Sequence, residues 1–139
     1  MTPHVATCVA IEGRAVLIEG APGSGKSALA LALIDRGATL VGDDGIMIEV
    51  VDGRLVAHPH PRTRGLLEIR NLGLVSCPVC DAAPIALVIK FDVQAPRFLD
   101  SPFQLERESV LLPAISLWPD AYPPALKVEH ALRLYGLPA

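Results

Sequence analysis

Residues 15–36 read AVLIEGAPGSGKSALALALIDR, and this stretch decides the fold. Its opening, AVLIE (15–19), is short, apolar and β-prone, which predicts a buried strand. SALALALIDR (27–36) consists of strong helix formers, and Gly37 follows where a helix C-cap belongs. Between strand and helix, Gly20-Ala21-Pro22-Gly23-Ser24-Gly25-Lys26-Ser27 fits G-x-x-x-x-G-K-[ST] in full. Glycines let successive backbone N–H groups turn toward phosphate oxygens, and the following helix directs its positive end at the same place. Lys26 would reach the β- and γ-phosphates, and Ser27 would offer its hydroxyl oxygen to Mg²⁺. The motif predicts a nucleoside triphosphate site without naming the reaction.

Outward from this centre the chain keeps turning. VATCVAI (5–11) precedes the 15–19 strand across Glu12-Gly13-Arg14, which predicts a hairpin. ATLVG (38–42) is a second buried strand, ending at Asp43-Asp44. Residues 46–51 and 54–57 form a hairpin across Asp52-Gly53, a type I′ signal. HPHPRTR (58–64) reads as a polar, proline-rich loop, and 66–75 mixes apolar with charged residues. Strands are predicted at 85–92 and 110–118, with Pro113 marking an edge or bulge in the latter. Residues 124–135 predict an amphipathic helix with Pro at its start and Gly136 at its end. The fold class is therefore α/β: a single domain over 1–139, with a strand-rich mixed sheet and few helices.

Composition narrows the function. A chain of 139 residues matches one domain of roughly 100–150 residues. At 51% apolar and 19% charged, it has a core to bury and is not a disordered tail. The net charge of −3 argues against a general nucleic-acid binder. No apolar run approaches the roughly 18 residues of a membrane span, and Met1-Thr2-Pro3-His4 does not open a secretory signal. Three cysteines make no disulfide framework, so a cytoplasmic protein is expected.

The phosphate loop must belong to one of several classes. No N-K-x-D guanine-reading motif and no serine-glycine-glycine signature is present, and the chain is too short for an AAA-type module. A small kinase-like domain remains, and it needs a base and a metal-binding carboxylate. Asp43-Asp44 lies at the C-terminal end of a predicted strand, where open α/β sheets place their ligands. The residues alone leave two readings of the pair, a catalytic site or a solvated turn.

Gly20–Ser27, Arg36-Gly37, Leu40-Val41-Gly42-Asp43-Asp44 and Leu67-Glu68-Ile69-Arg70-Asn71-Leu72-Gly73 occur in order and at close spacing. Over residues 4–75 this resembles the catalytic domain of HPr kinase/phosphorylase, whose fold is akin to phosphoenolpyruvate carboxykinase. The resemblance implies an ATP- and Mg²⁺-dependent kinase acting on a serine of HPr, the phosphocarrier of a bacterial phosphotransferase system. It implies phosphate binding by Lys26, Mg²⁺ binding by Ser27 and Glu68, and Asp44 as the proton acceptor, with Asp43 its neighbour. It also places His4 and Arg97 in the active site and implies a homo-oligomer, since the family forms hexamers.

Departures from the pattern shape the expectation. The sequence starts almost at His4, so the family's N-terminal domain is not expected, as in short proteobacterial forms tied to a nitrogen-related phosphotransferase system. Asn71 stands where the family typically has glycine, and 77–84 is shorter than usual. A basic, glycine-containing loop linked to dephosphorylation is replaced by Trp118-Pro119-Asp120-Ala121-Tyr122-Pro123-Pro124, which argues against the reverse phosphorylase reaction. Two other classes stay open: an ATP-binding regulatory sensor that catalyses little, and a small-molecule P-loop kinase. Retention of Lys26, Asp44 and Glu68 together speaks against the sensor, and the lack of a clear arginine-bearing lid against the small-molecule kinase.

Other features carry less weight. Cys77-Pro78-Val79-Cys80 has metal or redox spacing but lacks a second ligand pair. His130 reads as a packing or surface residue, and Trp118 with its prolines as core and sheet edge. Arg62, Arg64 and Arg70 fit a solvated face or an anion-contacting one equally well.

Overall fold

The computed structural model describes residues 1–139. Eleven strands and two helices run in the order β1 (Thr2–His4), β2 (Thr7–Ile11), β3 (Arg14–Glu19), α1 (Lys26–Asp35), β4 (Thr39–Gly42), β5 (Ile46–Val51), β6 (Arg54–Pro59), β7 (Leu66–Ile69), β8 (Gly73–Ser76), β9 (Ala83–Phe91), β10 (Phe103–Arg107), β11 (Val110–Leu117) and α2 (Ala125–Tyr135). Nine strands form one mixed sheet with the path β1-β5-β6-β9-β3-β2-β4, and β7 and β8 form a separate hairpin. The strand-rich α/β class with few helices is borne out.

β9 organises the sheet. β6 pairs antiparallel with Ala83–Pro84, β3 pairs parallel with Ile85–Lys90, and β11 pairs parallel with Val88–Phe91. Parallel neighbours buried on both faces explain why β3 and β9 read as continuous apolar runs. The two faces feed two cores. Val16, Ile18, Leu87 and Ile89 pack with Leu29 and Leu33 of α1 and Val128 and Leu132 of α2. Leu17, Ile85 and Val88 face the other way, against Ile46, Ile48 and Leu55 of the β5–β6 hairpin and Leu112 of β11. The register slips where Ala15 opposes Ile85 and Val16 opposes Leu87, so Ala86 is the extra residue of a bulge. Its carbonyl is taken by the Leu137 N–H at 3.0 Å.

Several expectations change in detail. The first strand comes earlier than the predicted 5–11 run: β1 holds His4, paired with Ile46. His58 and Pro59 belong to β6 rather than to the loop that follows. β11 is not an edge, because β10 covers it, and Pro113 sits opposite Gln104, one residue before the pairing with β9 begins. Trp118 follows β11 with 46% of its surface exposed, so it is neither core nor sheet edge, and its Nε1 donates to the Ala95 carbonyl at 2.6 Å. No helix is long and apolar enough to cross a membrane.

Candidate functional site

β3 delivers the chain at Glu19 straight into the glycine-rich loop, and α1 begins at Lys26. The loop closes a turn by Ser24 N–H to the Ala21 carbonyl at 3.1 Å. Gly23 (φ +78) and Gly25 (φ +105) adopt the left-handed backbone that the nest requires and that a side chain would strain. Gly25 is the N-cap of α1 and offers no side chain to the helix's first N–H groups. Those donors and the helix dipole are left without a side-chain cap, an arrangement suited to an anion. Lys26 Nζ lies along the loop, donating to the Gly20 carbonyl at 2.8 Å and to that of Ala21 at 3.3 Å.

The two aspartates part company. Asp43 is buried, and its carboxylate accepts from Ser27 Oγ at 2.6 Å, Thr7 Oγ1 at 3.1 Å and the Glu68 N–H at 3.0 Å. It ties α1, the start of β2 and β7 together. Asp44 has φ +58 and is exposed, and it lines the cleft. The turn that separates them is tight: a Cβ on Gly42 would stand 2.5 Å from the Gly45 carbonyl oxygen, so only glycine fits at 42.

The cleft above the loop has a volume of about 620 Å³. Lys26, Ser27, Asp44, Glu68 and Arg70 are its charged and hydroxyl wall, and Val5, Leu31 and Ile69 its apolar one. β7 brings in Glu68, and Arg70 follows at the strand's end. An Arg70 guanidinium nitrogen lies 3.7 Å from the position a Gly23 Cβ would take, which sets its charge against the loop. Arg70 forms no ion pair, so its charge is available to a ligand. The Arg62-Arg64-Arg70 set therefore divides: Arg70 faces the loop, whereas Arg64 pairs with Asp81.

The donor set suits Mg²⁺. Ser27 donates its proton to Asp43, which leaves the lone pairs of Oγ for a cation. Glu68 supplies a carboxylate in the same cleft. No group of three or more His, Cys, Asp or Glu could hold a metal by itself. Mg²⁺ ordinarily takes one or two protein carboxylates and completes its shell with phosphate oxygens and water, so this sparse set is appropriate.

His4 lies beside the loop's root. Its Nε2 is 2.9 Å from Glu19 Oε2, and Arg107 donates to Glu19 Oε1 at 2.7 Å, with Lys90 Nζ at 3.7 Å. Burial alone would raise the Glu19 pKa, but the hydrogen bonds and charges of His4 and Arg107 outweigh it and hold the group at about 2, against 4.5 ordinarily. Stability from this carboxylate is therefore present above about 4.5 and lost as pH falls toward 2. We expect Glu19→Gln to be less stable than the parent at neutral pH, with the gap closing across that window; melting temperature measured against pH checks it.

Arg97 is not brought to this cleft. It is exposed in the segment after β9, with its guanidinium 5.8 Å from the ring centre of Phe98. Cys8, Cys77 and Cys80 are all free thiols. Burial, and secondarily the nearby Cys80, push the Cys8 thiol well above the usual range, which makes it inert at neutral pH. Thr7, Glu19 and Arg107 were not foreseen. Glu19 was signalled only by adjacency to the loop, and Arg107 sits in a strand the residue pattern does not announce.

Comparison with known proteins shows the family. Residues 2–82 match the family model described as the HPr Serine kinase C-terminal domain. The chain belongs to that family. HPr kinase/phosphorylase of Clostridium tetani is 37% identical over 91 residues, covering 60% of this chain and 30% of that protein. The Clostridium beijerinckii protein of the same name is 45% identical over 67 residues, covering 48% and 22%. The chain thus matches less than a third of the length of these relatives. A solved structure, the HPr(Ser) kinase/phosphatase from Coxiella burnetii, superposes with a TM-score of 0.85 at 26% identity, covering 96% of this chain and 89% of that one. The likeness to that structure extends through β9–β11 and α2, beyond the last residue of the family match.

Proposed function

We propose that this chain is an ATP- and Mg²⁺-dependent protein-serine kinase whose acceptor is an HPr-like phosphocarrier. The observation that carries the proposal is the Ser27–Asp43–Glu68 connection. It joins the phosphate loop to the two acidic elements and leaves Asp44 free in the same cleft. A glycine-rich turn without a ligand needs none of these links.

The geometry supports the following roles. Loop N–H groups and Lys26 hold the phosphates, and Arg70, just beyond β7, adds charge beside the loop. Ser27 and Glu68 hold Mg²⁺, which neutralises charge on the transferring group when bound. Asp43 fixes the direction of the Ser27 hydroxyl. Asp44 orients the acceptor serine hydroxyl and takes its proton as the phosphoryl group moves. His4 and Glu19 brace the strand that leads into the loop. Arg97 lies outside the cleft lining, so its proposed part is contact with the acceptor rather than with the loop. The lack of a basic residue in 118–124 favours the kinase direction over phosphorolysis.

The test is transfer of label from γ-labelled ATP to an HPr-like protein with Mg²⁺ present. Label on a serine is expected. Nucleotide binding without label would favour a regulatory sensor. Lys26→Ala removes a charged hydrogen-bond donor, a loss of about 1.5–3 kcal/mol. It is expected to weaken ATP binding roughly ten- to a hundredfold and transfer with it, and titration calorimetry checks the first part.

A further inference from the structure

A second cavity, of about 350 Å³, lies on the other flank of the phosphate loop. Gly23, Gly25 and Ala28 border both cavities, so the loop and the first turn of α1 form a ridge between them. The far walls differ in chemistry. The first cavity has Arg70, Asp44 and Glu68. The second has Phe91 from the end of β9 and Pro119, Asp120, Ala121, Pro123 and Pro124 from the β11–α2 connection, with no Lys or Arg. Such a wall suits a neutral heterocycle and not a phosphate chain. The size falls in the range of small-molecule sites, roughly 300–1,000 Å³.

Two polar groups at this cavity have capacity to spare. Asp120 Oδ1 accepts from the Ala121 N–H at 2.8 Å, and its second oxygen has no protein partner. Ser24 lines this cavity and not the first, and its hydroxyl is buried without any hydrogen-bond partner. Buried hydroxyls are normally satisfied, so an orphan here points to a ligand that completes it after a χ1 rotation.

We propose that the nucleoside half of the nucleotide occupies this second cavity. The base packs on Phe91 and the prolines, Asp120 accepts from the ribose hydroxyls, and the phosphates cross the Gly23–Gly25 ridge into the first cavity. The inference rests on the nucleotide-binding reading of the loop. It assigns the segment Pro119–Pro124 to nucleotide selection.

The experiment compares ADP with inorganic tripolyphosphate, which lacks a nucleoside, by titration calorimetry on the full chain. Ala121→Phe fills the cavity from an exposed position. It is expected to weaken ADP at least tenfold and leave tripolyphosphate unchanged. Asp120→Ala separates recognition from charge: removing a negative group near the loop would tighten both anions if it acted only electrostatically, whereas loss of a ribose contact weakens ADP alone. Unchanged ADP affinity in both variants would place the base in the first cavity and overturn the inference while the nucleotide reading stands. Equal weakening of both ligands would overturn it as well. Failure of the parent chain to bind either ligand would overturn both the inference and the reading beneath it.

Discussion

Asp44→Asn is expected to lower phosphoryl transfer by about 10²–10⁴-fold while ATP binding and melting temperature stay near parental values. The reasoning is local. Asp44 is exposed in the cleft, and its carboxylate accepts no hydrogen bond from the rest of the chain, so the fold does not depend on its charge. Its one recorded contact is through the backbone, where its N–H meets Thr7 Oγ1 at 3.4 Å. Asn keeps the shape and tolerates the left-handed backbone at φ +58, so the variant changes proton affinity and little else. A serine hydroxyl has no other carboxylate in this cleft except Glu68, whose proposed duty is the metal. Transfer to the acceptor by single turnover, with ATP affinity measured alongside, checks the separation. Unchanged transfer would remove Asp44 from the chemistry.

Much of this was legible in the sequence because the decisive elements carry strong local signals. The β2–β3 hairpin, the loop, α1 and the β5–β6 hairpin each have an apolar run bounded by glycine, and their turns use Glu12-Gly13 and Asp52-Gly53. The elements that escaped lack those signals for physical reasons. β1 is three residues with a central proline, and β5 is the only strand it pairs with. β10 alternates FQLER on an exposed edge, and its turn into β11 uses Glu108 and Ser109 at positive φ, residues that do not announce a hairpin. Asn71 is the instructive case. It stands where the resemblance expects glycine, and it adopts φ +68 in the β7–β8 turn, a conformation that Asn tolerates better than most residues. The departure from the pattern preserves the backbone that the pattern encodes.

The site was legible as a set of residues but not as an arrangement. Asp43-Asp44 offers two like neighbours, and nothing in the order of letters says which one turns inward. That depends on Thr7, Ser27 and the Glu68 N–H converging on one carboxylate from three distant parts of the chain. Arg70 is a similar case, since its value depends on a guanidinium lying beside Gly23. Arg107 could not be paired with Glu19 until β10 was known to run beside β11, which in turn lies beside β9.

Asp43→Ala is expected to damage the fold itself. The substitution leaves Thr7 Oγ1, Ser27 Oγ and the Glu68 N–H without their acceptor, and Thr7 is fully buried, so water cannot replace it there. Leaving buried donors unsatisfied costs about 1–3 kcal/mol each, partly recovered at the two sites nearer the cleft. A net loss of about 2–4 kcal/mol follows. For a chain of this length that is roughly a 10 °C fall in melting temperature. Asp43→Asn keeps one carbonyl acceptor and should lose about half as much, while still failing to accept from both sides. In Asp43→Ala Ser27 loses the bond that directs its hydroxyl, and in Asp43→Asn that bond weakens from a charge-assisted to a neutral one. The Mg²⁺ concentration needed for half-maximal ATP binding should therefore rise even where the chain remains folded. Thermal melts and Mg²⁺ titrations on the same preparations distinguish the two aspartates: Asp44→Asn should move neither quantity, and Asp43→Asn should move both. A parental melting temperature in Asp43→Ala would mean that the three-way junction does not hold the site together.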